Sequence, residues 1–173
     1  PSAAIQVAYY KKLMRLIDEM NRSVDYWLRS TYRNNEPLMA RDDALPSTAL
    51  TRAIAKLRKQ WLDNFDEAAD SMAAYFAKAA RKRTDAAMKA ILKKGGFSVE
   101  FKMTRQMQDI VKATTAENVA LIKSIPEQYL KNVEGAVMRS VSAGRDLGSL
   151  TKELEKNYGV TRRRAALIAR SQN

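Results

Sequence analysis

The chain has 173 residues, enough for one ordinary domain or two small ones, and it is 46% hydrophobic, enough to bury a core. It carries 31 Lys and Arg against 19 Asp and Glu, a net charge of +12, and has neither His nor Cys. The two absences exclude zinc ribbons, thiolate nucleophiles, disulfide frameworks and His-centred acid–base chemistry. The charge points to nucleic acid, an acidic protein surface or an anionic membrane, against the bland alternative of a solvated basic surface.

Four Pro and six Gly leave room for long helices. Across 3–32, Val7, Tyr10, Leu13, Met14, Ile17, Met20, Val24, Trp27 and Leu28 recur at helical spacing and predict one amphipathic helix. The start, from Pro1 to Ile5, has no basic residue ahead of an apolar stretch, so no secretory signal is expected there. Asn34, Asn35, Glu36 and Pro37 then predict a loop reaching Pro46. Ser47 or Thr48 suits the cap of a second helix. Its stripe is Ile54, Leu57, Trp61, Phe65, Ala68, Met72, Phe76 and Ala79, and nothing breaks it before Gly95 and Gly96. A kink is expected near 81–85, where the stripe loses register. Trp61 and Phe65 are the large side chains of this stripe and are candidates for packing or for docking a partner.

After the glycines, Phe97, Val99, Phe101 and Met103 alternate with polar residues, the period of a half-buried strand. A lone strand needs an edge to pair with, which makes Phe97, Val99 and Phe101 candidates for contact with another subunit. Helix resumes at Thr104 and runs through Ile122. Ser124, Ile125, Pro126 and Glu127 then read as a capping box opening a further helix that stops at Gly144. Two short helices are expected at the end, one capped by Ser149 and closed by Gly159, the other capped by Thr161. The expected fold is therefore mainly α: an elongated bundle of long helices with one short strand or hairpin near 97–103. A long-helix region, 1–95, precedes a second helical domain, 96–173. No apolar run approaches the ~18 residues that span a bilayer, and the mixed stripes do not suit a membrane-surface helix.

Two basic clusters stand out. Lys78, Arg81, Lys82, Lys89 and Lys93 share one helix face, a ridge that could follow a phosphate backbone. Arg83 and Lys94 flank it, and a solvated helix end is the competing reading. The second cluster, Arg162, Arg163 and Arg164, opens the last expected helix. With Gly159 in a turn and Leu154, Tyr158, Val160, Ala165 and Ile168 as packed positions, 150–170 has the pattern of a helix-turn-helix. Glu155 argues against it, because it falls where the two helices would approach closely; a plain helical hairpin with a basic tip competes. The carboxylates Asp42, Asp43, Asp63, Asp66, Glu67 and Asp70 have no His or Gly-rich loop around them. They read as a solvated acidic face, so no catalytic, metal or cofactor site is expected.

The segment 117–126, Glu-Asn-Val-Ala-Leu-Ile-Lys-Ser-Ile-Pro, followed by Tyr129, resembles the middle signature of Mu F-like phage head-morphogenesis proteins. Gly144-Arg145-Asp146-Leu147, Leu154, Tyr158-Gly159-Val160 and the stretch from Arg162 to Arg170 are similar to that family's closing motif. The resemblance covers 97–173; the first 95 residues share only helical character and position. It implies a minor head protein of a tailed phage, found in the virion near the portal vertex and in the host cytoplasm during assembly. The implied partners are portal and capsid proteins and packaged double-stranded DNA held without sequence preference, with a homo-oligomer left open. The implied role is head assembly and DNA packaging or delivery, with no catalytic residues to carry over. It makes a sequence-specific regulator built on 150–170 the lesser of the two readings.

Overall fold

Long helices with one apolar stripe each must bury those stripes against one another, and four of them do so here. The computed structural model describes residues 3–34, 46–96, 104–144 and 146–170. The helices are α1 (Ala3–Asn34), α2 (Pro46–Lys94), α3 (Arg105–Ser142) and α4 (Leu147–Arg170). Each packs on two neighbours, α1 and α3 both lying between α2 and α4.

Side-chain pairs give the directions. Tyr9 meets Phe76 edge-on at 5.8 Å while Ser23 accepts from Trp61 Nε1 at 3.3 Å, so α1 and α2 run antiparallel. Lys123 reaches Asp66 at 3.7 Å and Arg58 reaches Glu127 at 3.7 Å and Glu134 at 3.9 Å, making α2 and α3 antiparallel. Arg164 donates to Ser124 at 2.9 Å and Arg139 Nε to Glu153 at 3.2 Å, which does the same for α3 and α4. The result is an up-down-up-down four-helix bundle.

Its core takes Leu13, Ile17, Met20, Val24 and Leu28 from α1, and Leu50, Ile54, Leu57, Trp61, Phe65 and Met72 from α2. From α3 come Ile122, Ile125, Tyr129, Leu130, Val133 and Val137, and from α4 Leu150, Leu154, Ala165 and Ile168. One core thus draws on both sides of the expected division at residue 95. Two tyrosine hydroxyls inside it are bonded across helices: Tyr129 OH donates to Asn21 Oδ1 at 2.9 Å, and Tyr32 OH to Ser140 Oγ at 2.8 Å.

Two expected breaks do not occur. Pro126 lies inside α3 rather than in the first turn of a new helix. Its ring costs about 3 kcal/mol in a helix interior, yet Ile122, Ile125, Tyr129 and Leu130 are all buried around it, each worth about 1.5–3 kcal/mol. Ser124 Oγ donates to the Leu121 carbonyl at 2.7 Å rather than capping a helix start. Gly159 likewise sits within a continuous α4, because the buried residues Leu150, Leu154, Thr161, Ala165 and Ile168 form one stripe across it. That helix begins at Leu147, with Asp146 in place of the expected Ser149 cap. Asp146 Oδ1 accepts from Gly148 N at 2.9 Å and Ser149 N at 3.2 Å. The helix-turn-helix geometry is therefore absent from α4.

Other boundaries agree, except that α2 begins at Pro46, so Ser47 and Thr48 lie inside it rather than capping it. Thr104 caps α3, accepting from Met107 N at 3.3 Å. Gly96 (φ 75°) and Gly144 (φ 85°) take the left-handed conformation that ends α2 and α3. Helix α2 runs unbroken through the expected kink at 81–85. The expected strand at 97–103 lies outside the described residues, and no strand occurs among those described.

Candidate nucleic-acid interface

The core stops well before α2 does. Phe76 is the last buried residue of α2, and Asn118 the first of α3; none of the described residues in 77–117 is buried. Since α2 and α3 are antiparallel partners, the end of one and the start of the other leave the bundle together as a two-helix arm. The large apolar residues along it stay substantially exposed, among them Met88, Ile91, Ile110 and Val111. Its described part carries nine Lys and Arg against three Asp and Glu, half of the chain's net charge of +12.

The predicted ridge lies on this arm, with Lys78, Arg81, Lys82, Lys89 and Lys93 all exposed. Arg81 is 4.0 Å from Asp85. From 78 to 94 the rise of about 1.5 Å per residue gives about 24 Å of basic helix. At that surface the exposed cations can displace counterions from a phosphate backbone.

The three arginines of α4 are not equivalent. Arg162 lies over the Tyr158 ring, 5.5 Å from its centroid, and its Nη1 donates to the Tyr158 hydroxyl at 3.4 Å. Tyr158 in turn donates to Asp18. Burial and then Asp18 push the Tyr158 phenol up, and Tyr158 and Asp18 in turn raise Arg162. Arg164 is half-buried and donates to Ser124. Arg163 is exposed. Two of the three are thus fastened to the bundle, and a periodicity argument could not separate them.

Trp61 and Phe65 are buried in the bundle's own core at 6% and 0% exposure, so their apolar surface is already covered within the chain. Phe97, Val99 and Phe101 lie outside the described residues. Asp63, Asp66, Glu67 and Asp70 are exposed along α2, with Asp66 paired to Lys123. Among the described residues no three acidic side chains gather as a metal site would require, and no helix is long and apolar enough to cross a membrane.

Sequence reasoning missed Lys11 and Lys12, and gave Arg170 no place in the basic surface. Lys12 Nζ sits 4.2 Å from the Tyr75 ring centroid, at the root of the arm. Arg170 lines a groove of about 290 Å³ with Val7, Tyr10 and Ala166, where α4 ends beside the start of α1. Nothing in the local pattern marks these residues, because they join the basic surface only through the antiparallel packing.

No family model matches the chain, and no solved structure matches it. An uncharacterized protein of Haemophilus influenzae (strain Rd) is 46% identical over 66 residues, which is 36% of this chain and 14% of that protein. The aligned stretch is thus a small part of that relative's length.

Proposed function

We propose that this chain is a structural part of a minor head protein of a tailed phage, acting in head assembly and in DNA packaging or delivery. The bundle docks on portal or capsid proteins, and the arm meets packaged duplex DNA without sequence preference. What carries this reading is that the two segments resembling the Mu F-like signature pack on each other. Ser124 of the first accepts from Arg164 of the second, and Asn157, within the span of the second, donates to the Tyr129 carbonyl at 3.1 Å. Pieces far apart in the chain thereby form one packed unit, which is what a shared order and spacing would preserve.

The basic arm supports the DNA part of the reading, since it offers charge without a core of its own. The test is co-expression with the portal and capsid genes of the same genome, followed by gradient purification of heads. The chain should sediment with particles at low copy number. Heads that assemble at normal yield with the chain left in the soluble fraction would overturn the proposal.

A further inference from the structure

We infer that duplex nucleic acid is held at two places at once, the α2 side of the arm and a basic collar formed at its root by Lys11 and Arg170, with Arg163 two turns further down the same face of α4. The inference rests on the DNA part of the reading above and adds a site to it.

The collar follows from register. Arg164 sits opposite Ser124, so in an antiparallel pair Arg170 falls level with about residue 118, where α3 leaves the core. Tyr9 touches Phe76 and Lys12 covers Tyr75, so Lys11 and Lys12 stand level with the last buried turn of α2. The groove shared by Val7, Tyr10, Ala166 and Arg170 closes the ring between α1 and α4. Here α2 and α3 run on past their last buried turns beside the first turns of α1 and the last turns of α4, and exposed cations lie on these turns and on the arm.

Lys12 and Arg162 are each engaged with a tyrosine, which leaves Lys11, Arg163 and Arg170 as the exposed collar cations that the described contacts do not fasten. The arm adds Lys78, Lys82, Lys89 and Lys93 over about 22 Å, or about six to seven base pairs at about 3.4 Å each.

The chemistry favours a duplex backbone over single strands and over a second copy of the chain. The described part of the arm, 77–96 and 104–117, contains no aromatic side chain on which an unpaired base could stack. Another copy would bring like charge against like charge. Evenly spread cations on a rigid helix can exchange counterions on phosphates whatever the base sequence.

The experiment is a salt titration on one 24-base-pair duplex with four proteins: the parent, Lys82/Lys89/Lys93→Gln on the arm, Lys11/Arg163/Arg170→Gln on the collar, and the combination. All six positions are exposed and helical, and Gln keeps comparable helix propensity; matching thermal melts verify the fold. Each triple change should shallow the slope of log affinity against log salt by up to about 2.7, and the combination by the sum, at one protein per site. A collar variant with the parent's slope beside a flattened arm variant would overturn the two-point inference and leave the arm's DNA contact standing. Parent protein that fails to bind, or parental slopes in all variants, would overturn both.

Discussion

Helix α2 passes through two environments, and the contrast between them is instructive. Between Leu50 and Phe76 it buries Ile54, Leu57, Trp61, Phe65, Ala69, Met72 and Ala73 against α1 and α3. From 77 to 94 the same helix buries nothing among its described residues. Helicity does not distinguish the halves, because the arm is built from Ala, Lys, Arg and Met, all strong helix formers. What changes is the supply of large apolar side chains at core spacing. Where that supply ends, charge takes over the surface.

The largest test of this contrast compares one core and one arm substitution. Phe65→Ala should lose about 3–5 kcal/mol in urea unfolding, as for other buried aromatics cut back to Ala. Ile91→Ala, at a side chain 65% exposed, should shift stability by no more than about 0.5 kcal/mol. Comparable losses at the two positions would mean that the arm is packed as the bundle is.

A smaller effect is expected at the bundle's arm-side end. The Tyr9 hydroxyl is buried with no hydrogen-bond partner among the described residues. Tyr9→Phe keeps the ring against Phe76 and should stabilise by about 1–3 kcal/mol, the usual cost of an unsatisfied buried donor. Burial also pushes the Tyr9 phenol up to about 12 from its ordinary 10. Between those values the unfolded chain loses a proton that the folded one keeps, so stability should fall as pH rises from about 10 to 12. Tyr129, raised mainly by burial and then by Asp25, adds to that fall. Melts across this window should decline less steeply for Tyr9→Phe; equal slopes would show that the Tyr9 hydroxyl reaches water.

The smallest change probes α4. An added Cβ at Gly159 meets only Arg163 Nη1, at 3.7 Å, an ordinary contact. Gly159→Ala should therefore raise stability by up to about 1 kcal/mol through helix propensity. A loss instead would indicate a turn at 159, and with it the helix-turn-helix arrangement.

Much of the fold was legible in the residues. The extent of α1, the return to helix at Thr104 and the stops at Gly96 and Gly144 follow from periodicity and the left-handed preference of Gly. The stripe of α1 was placed slightly off: Tyr9 is buried at 1% exposure while Tyr10, Val7 and Trp27 are exposed at 37%, 49% and 50%. One helix in isolation does not say which way a wide apolar face turns. Pro126 and Gly159 misled for a related reason. Their local preference costs about 1–3 kcal/mol, and a buried stripe continuing on both sides outweighs it. The ridge of the candidate site could be read from helical spacing, whereas the unequal roles of Arg162, Arg163 and Arg164 could not.

By itself, then, the sequence determined that the chain is helical and basic, and which side chains could form stripes and ridges, because these depend on short spacings within one helix. The tertiary structure alone decided where along α2 and α3 burial ends, and that cations from α1 and α4 lie near that point. Those outcomes depend on the register between helices, which is set by packing among residues distant in the chain.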